Sequence, residues 1–337
     1  MPINPYHWLE VTEWGLWIKP ADLYLDPQRA VERSVVSHGH ADHARPGSGT
    51  VWATRETLEI MSVRYGDQAA REPVAMEYGA EWDIGSVVFR LEPAGHIRGS
   101  AQVVMEYQGE RVVYSGDYKR KEDPTCDPFR VVGCDLFITE ATFGLPVFKH
   151  PAAPGEVDRL LQSMRRQPER THVVGVYALG KCQRLIALLR ASGYTESIFV
   201  HGALLPLCRW YQEQGVELGD VLPATVEAKK RLKGALVLGP PSAIREPWAR
   251  RLHDPVVGYA SGWMSVRQRV RQRHAELPLR ISDHADWEDL LRTIEETGCR
   301  EVWVTHGQED ALVYECGRRG LKALPLALAG WDGEEEE

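Results

Sequence analysis

Apolar residues in the first 145 positions come in short runs rather than at helical spacing. Positions 14–18, 35–37, 50–53, 87–91, 101–107, 111–115 and 135–139 are β-branched or aromatic and bounded by Gly, Pro or Asp, which predicts strands. Gln108-Gly109-Glu110 predicts a hairpin between two of them, and residues 55–65 carry helical periodicity. The pattern changes after Gly144-Leu145-Pro146. Amphipathic helices over 154–166, 180–192 and 204–214 then alternate with apolar strands over 172–177, 197–200, 235–239 and 256–260, as expected of βα units around a parallel sheet. Strands over 279–282 and 301–305 and helices over 285–297 and 308–319 complete the pattern, with no internal repeat.

The 337 residues are 43% hydrophobic and 26% charged, a globular composition long enough for one large domain or two ordinary ones. No apolar stretch reaches a membrane span, and the first residues lack the basic-then-apolar layout of a signal peptide, so a cytoplasmic protein with no membrane partner is expected. Six cysteines form no C-x-x-C pair, which reads as buried reduced thiols rather than metal ligands. Charge is unevenly spread. Residues 151–280 hold 20 Lys and Arg against 11 Asp and Glu, while the remainder holds 20 against 37. A basic middle in a chain of net charge −8 is either a solvated face or an electrostatic footprint for nucleic acid.

The chemistry concentrates in Ser37-His38-Gly39-His40-Ala41-Asp42-His43, where three imidazoles and a carboxylate follow an apolar run. Neutral imidazole and carboxylate hold divalent cations, and a loop of this density could serve two of them. Further ligand-type residues fall just past predicted strands: His96 in a Gly-bracketed turn, Asp117 after Ser115-Gly116, His284 in Ser282-Asp283-His284 and His306 in Thr305-His306-Gly307. At a sheet's end such side chains reach a common cleft.

With those residues quoted, the chain resembles the metallo-β-lactamase superfamily, and within it the β-CASP nucleases. His38-Gly39-His40-Ala41-Asp42-His43 matches the signature H-x-H-x-D-H, and Asp26, His96 and Asp117 match the other early motifs. Glu140 resembles the acidic residue ending the family's first half, and His284 and His306 its two late histidines. Size, Tyr177-Ala178-Leu179-Gly180-Lys181-Cys182-Gln183 and Ala260-Ser261-Gly262-Trp263 are similar to bacterial ligase-associated DNA exonucleases, kin of crosslink-repair nucleases and mRNA 3′-end processing factors. His306 departs from the crosslink-repair branch and resembles the RNA-processing one.

The resemblance implies an α/β fold: a four-layer αββα sandwich from residues 1–145 and 281–328, an inserted βα β-CASP cap over 146–280, and an acidic, disordered tail over 329–337. It implies two divalent cations, zinc and/or manganese, one on His38, His40 and His96, the other on Asp42, His43 and His306, with Asp117 bridging. A bridging hydroxide would attack phosphorus, Asp26 would orient it or accept its proton, and His284 would act as acid or phosphate ligand, fixed by Glu140. The scissile strand would lie between sandwich and cap.

Substrate contacts are expected from Ser261, Gly262 and Trp263, through a hydroxyl, backbone N–H groups and base stacking, and from Lys181 at a helix start. Core and capping roles remain equally open for Trp263 and Lys181. The basic run 267–273 reads better as a solvated face than as a binding one. The expected activity is DNA exonuclease action in repair, 5′ to 3′, alongside a DNA ligase and a helicase. RNA processing on the same fold, small-molecule metallohydrolysis and an inactive nucleic-acid-binding scaffold stand as alternatives.

Overall fold

A computed structural model of the chain describes residues 4–225, 232–249, 252 and 254–329. The acidic tail expected to be disordered lies outside the described residues from position 330 onward. The chain divides into two compact units, one of Met1–Glu122, Cys126–Val147 and His284–Glu337, the other of Asp123–Thr125 and Phe148–Asp283. The fold is mixed α/β with three sheets. Among the described residues no helix is long and apolar enough to cross a membrane.

The first unit carries two sheets, with strands numbered in chain order. One runs β1 (Leu9–Thr12), β2 (Gly15–Ile18), β3 (Leu23–Leu25), β4 (Arg33–Val35), β5 (Ser48–Thr54) and β6 (Ala70–Met76) as spatial neighbours, parallel from β3 onward. The other contains β7 (Glu81–Ile84), β8 (Val87–Pro93), β9 (Ala101–Tyr107), β10 (Glu110–Tyr114), β11 (Leu136–Ala141), β18 (Glu301–Gly307) and β19 (Lys322–Pro325), in the order β19-β18-β11-β10-β9-β8-β7. Strands β8, β10, β11 and β18 run the same way, because β9 is antiparallel to both β8 and β10 and the rest pair in parallel. Their C-terminal ends therefore share one edge of the sheet.

Strand alternation assigns each face of that sheet. Val103, Met105, Val112, Tyr114, Leu136, Ile138 and Trp303 join Leu16, Ile18, Leu23 and Val35 of the first sheet in one buried cluster. Their sequence neighbours Val104, Val113, Phe137, Val302 and Val304 point the other way, onto Leu290 and Ile294 of α6 (Trp287–Thr297) and Leu312 and Cys316 of α7 (Glu309–Arg318). The outer face of the first sheet buries Val51 and Ala53 against Leu58 and Met61 of α1 (Arg55–Tyr65). Thr54 caps α1 by accepting a hydrogen bond from the Thr57 amide at 3.2 Å.

The second unit is a six-stranded sheet in the order β14-β13-β15-β12-β16-β17, with every neighbouring pair parallel. Its strands are β12 (His172–Gly175), β13 (Ile198–Val200), β14 (Val221–Pro223), β15 (Leu236–Gly239), β16 (Val256–Ala260) and β17 (Leu277–Leu279). Helices α2 (Ala153–Arg166), α3 (Lys181–Ala191), α4 (Leu205–Glu213) and α5 (Arg267–Arg273) intersperse with them.

Two departures from the expected elements have clear causes. Strand β6 lacks an apolar alternation because it is the edge of its sheet, largely exposed, and tolerates Pro73 there. The strand expected over 279–282 is β17, ending at Leu279. Arg280 leaves the sheet to pair with the buried carboxylate of Glu156, with Nη2 to Oε1 at 3.0 Å and its amide to Oε2 at 2.9 Å.

Layer assignment by alternation has a measurable consequence. Ile138→Ala opens a cavity between the two sheets of the first unit and is expected to cost about 2–5 kcal/mol in denaturant unfolding. Tyr314→Ala, at a side chain 69% exposed, should cost less than about 0.5 kcal/mol.

Candidate metal centre

The C-terminal strand ends of the first unit carry the side chains singled out above. Asp26 follows β3, the His38–His43 turn follows β4, His96 follows β8, Asp117 follows β10, and Glu140 and His306 lie in the last turns of β11 and β18. Two devices hold the turns together. The Ser37 carbonyl accepts from the Ala101 amide of β9 at 2.8 Å, tying the metal loop to the second sheet. Gly116 lets the Asp117 turn approach, since a Cβ there would stand 2.8 Å from the Ser37 side chain.

His306 reaches the site by a β-bulge rather than by lying past the strand. Opposite β11, Thr305 pairs with Glu140 and Gly307 with Ala141, so His306 is the unpaired extra residue, and its φ of +52° is left-handed. Such a conformation costs roughly 1–2 kcal/mol for a residue other than Gly and re-aims the imidazole out of the alternation.

Among the described residues four groupings could hold a metal and Asp117 belongs to three of them, two of which are centred on the histidine turn. In the first, His40 Nδ1 is 3.0 Å from both His38 Nε2 and His96 Nε2, while Asp117 Oδ2 is 3.5 Å and 3.7 Å from those same Nε2 atoms. A tetrahedral ion with arms of about 2.05 Å spaces its ligands by about 3.3 Å, so these separations suit one cation. In the second, His43 Nε2 is 3.5 Å from Asp117 Oδ1, and the His306 ring lies tilted at 52° to that of His43 with centroids 4.6 Å apart. His43 Nε2, Asp117 Oδ1 and His306 Nδ1 are all buried without a hydrogen-bond partner. Three orphaned acceptor-type atoms converging on one point are costly without a cation, and they fit one.

Asp42 is not drawn in as far. Its carboxylate is 69% exposed and 4.0 Å from His43 Nε2, at the rim of the second cluster. Asp26 departs further from the expected place beside an attacking water. It is buried behind His43, with Oδ2 2.7 Å from His43 Nδ1 and accepting from Ser37 Oγ at 2.5 Å and Tyr114 OH at 3.1 Å, while Oδ1 accepts from the Ser37 amide at 2.7 Å. With its oxygens so engaged, the carboxylate fixes His43 with Nε2 toward Asp117. Ser37 also contacts His38 Nδ1 at 3.0 Å. Neither Ser37 nor Tyr114 was singled out from sequence. Ser37 had a signal in its place beside the histidine loop, and Tyr114 had none.

Glu140 forms the matching pair on the other side. It is fully buried, accepts from the Tyr118 amide at 2.6 Å, and lies 3.0 Å from His284 Nδ1. His284 remains 17% exposed and stands against His96, ring centroids 4.6 Å apart.

The second unit treats its expected substrate contacts differently. Lys181 is buried, its Nζ paired with the equally buried Asp283 at 2.6 Å and lying over the Tyr177 ring, so its charge is already matched and desolvated rather than offered to an anion. Ser261 Oγ caps a short 3₁₀ turn, Gly262–Ser265, by accepting from the Trp263 amide at 3.3 Å, which engages both the hydroxyl and that N–H. Gly262 is buried, and Trp263 is half-buried edge-on to Phe148.

Electrostatics follow from the packing. Burial, then the neighbouring His43, hold His38 well below its ordinary pKa. Burial also opposes charge on His43, yet Asp117 and Asp26 on either side outweigh it and lift His43 well above the ordinary value. Burial opposes charge on Asp117 as well, but His43 above all pulls it well below the usual carboxylate range.

No family model matches the chain. Over 317 residues, 93% of this chain, it is 27% identical to a protein named probable DNA ligase from Opitutus terrae, and the match covers 30% of that protein. Over 206 residues it is 27% identical to an RNase J-like protein from Methanocaldococcus jannaschii, covering 51% of this chain and 49% of the relative. The chain therefore spans half or less of these relatives' length. A crystal structure of a protein of unknown function from Enterococcus faecalis V583 superposes with a TM-score of 0.56 at 14% identity, covering 87% of this chain and 79% of that one, a likeness of fold.

The shift on His43 has a testable sign. Its raised folded pKa gives stability present in full below the unfolded value, about 6.5, and lost as pH rises through the folded value. In chelator, His43→Gln should therefore lower the melting temperature most below about pH 6.5 and progressively less above it. Thermal melts of the two proteins across pH check this, and a gap that widens toward alkaline pH contradicts it.

Proposed function

We propose that this chain, which belongs to the β-CASP nucleases of the metallo-β-lactamase superfamily, hydrolyses phosphodiester bonds of nucleic acid with two divalent cations, as a DNA exonuclease of repair. The observation that carries the reading is the division of Asp117, whose Oδ2 faces His38 and His96 and whose Oδ1 faces His43. A carboxylate shared in this way suits a pair of ions.

His38, His40, His96 and Asp117 Oδ2 would hold one ion, and His43, His306 and Asp117 Oδ1 the other, with Asp42 at its rim. Divalent cations in such a pair supply Lewis-acid neutralisation of a phosphate and acidify water. Ligands made only of imidazole and carboxylate suit zinc and manganese alike. Asp26 keeps a proton on His43 Nδ1, so that Nε2 is the coordinating atom. Glu140 does the same for His284, whose remaining nitrogen, Nε2, is then the one to hold a proton for a phosphate oxygen or for the leaving oxygen.

The layering of α1, two sheets and the α6–α7 pair supports a four-layer αββα sandwich, and the second unit, with its all-parallel sheet, supports an inserted cap. DNA as substrate and a DNA ligase as partner are supported by the match to the probable DNA ligase along nearly the whole chain. A helicase of the same pathway, 5′ to 3′ polarity and a cytoplasmic setting belong to the same reading. RNA processing is the second reading, favoured by the RNase J-like relative.

The deciding experiment follows end-labelled single-stranded DNA and RNA of one sequence over time with Mn²⁺ or Zn²⁺. Shortening of DNA from its 5′ end, abolished in His40→Ala, is expected. Preference for RNA would move the chain to the second reading, and inertness toward both under every metal would overturn the proposal. The two histidine–carboxylate pairs should separate kinetically. Asp26→Asn should weaken metal affinity about 10- to 100-fold in a metal titration. His284→Gln should keep the metal and lower kcat by about 10²- to 10⁴-fold.

A further inference from the structure

Helix α5 places Arg267, Arg269, Arg271 and Arg273 within seven residues and has no acidic residue of its own. At about 100° per residue these alternate arginines fall into two i,i+4 pairs on different flanks of the helix. Arg269 and Arg273 lie against aromatic rings of the second unit, with guanidinium carbons 5.4 Å from the Trp263 centroid and 5.3 Å from the Tyr259 centroid. Arg267 and Arg271 are exposed, and among the described residues neither has an ion-pair partner.

Arg29 rests on Glu13, Arg55 on Glu77, Arg300 on Asp135 and Arg318 on Glu315, whereas Arg267 and Arg271 share with exposed Arg165, Arg166 and Arg209 the lack of an ion pair among the described residues, and of these five they are the two spaced one helical turn apart. Like charges at i,i+4 disfavour the helix that carries them. In a chain of net charge −8, an uncompensated basic flank within the basic segment complements a polyanion rather than a single carboxylate. The opposite flank narrows the class further. A guanidinium laid over an indole offers a flat cationic π surface, which suits an unstacked base and is of no use to a duplex backbone.

We propose that α5 is a binding surface for a single nucleic-acid strand that passes round the helix, with Arg267 and Arg271 on phosphates along one flank and the Arg269–Trp263 stack under a base on the opposite one. The proposal rests on the nuclease reading for its choice of polymer and names where the second unit grips that substrate.

The test is equilibrium binding of a fluorescein-labelled single-stranded oligonucleotide, as DNA and as RNA, by anisotropy in EDTA across a salt series. Each lost phosphate contact on a single strand reduces the slope of log affinity against log salt by about 0.7. Arg267→Glu/Arg271→Glu should thus flatten the slope by about 1.4 and weaken binding at low salt by more than about tenfold. Arg29→Glu, at an exposed but carboxylate-paired site, should leave the slope unchanged, and melting curves confirm that each variant folds. An unaltered slope in the double variant overturns the proposal, as does duplex bound as tightly as single strand with the same dependence on α5. Hydrolysis by the parent is scored separately. Cleavage with an unaltered slope sinks the surface and leaves the nuclease, whereas α5-dependent binding without cleavage under any metal sinks the nuclease and leaves the surface.

Discussion

The first unit is organised around a crowding of lone pairs that protons alone satisfy poorly. Three imidazole nitrogens meet about Asp117 Oδ2, and His43 Nε2, Asp117 Oδ1 and His306 Nδ1 meet beside it with no hydrogen bond among them. A folded chain tolerates buried polar atoms when they are paired, and here pairing requires positive charge. Asp117 and Asp26 on either side of His43 lift its pKa well above the ordinary value and so favour a proton there. A cation displaces that proton, so assembly of the centre and ionisation of His43 are one equilibrium seen from two sides.

Sheet topology makes the crowding possible. Because β8, β10, β11 and β18 run the same way, residues from four distant stretches emerge at one edge, and β3 and β4 of the other sheet add Asp26 and the histidine turn. The pleat alone cannot finish the arrangement. In regular alternation His306 would share the face of Val302 and Val304, and the bulge at a strained φ is what turns it instead. Strain of that kind persists only where surrounding pairing over-determines it, and the parallel ladder from Leu136 to Ala141 supplies the pairing.

Much of this was legible in the chain. Ligand-type residues past apolar runs marked His38, His40, His43, His96 and Asp117, because a strand end is a local property written in adjacent residues, whereas Asp26 was marked by the family resemblance alone. What escaped was set by partners remote in sequence. The Tyr114 hydroxyl looked like one more strand aromatic until β10 and β3 brought it to Asp26. Lys181 carried the local signature of an anion site at a helix start, and only the return of the chain at Asp283 converts it into half of a buried ion pair. Strands β9, β10 and β11 were legible as apolar runs because both of their faces are buried, yet the edge strand β6 carried no such signal because it is largely exposed.

The two histidine–carboxylate pairs are built alike and differ in access. His43 is 1% exposed, and its partner Asp26 is also held by Ser37 and Tyr114, so the pair is locked at every atom but the one that faces Asp117. His284 is open to solvent along one side, and Glu140 is held by the Tyr118 amide besides the imidazole. A ligand to a fixed ion gains from rigidity and exclusion of water, whereas a group that must meet a substrate and exchange protons with the medium needs a path outward. The same chemical unit is thus given two degrees of access by burial, and that contrast is the physical ground on which the proposed function separates His43 from His284.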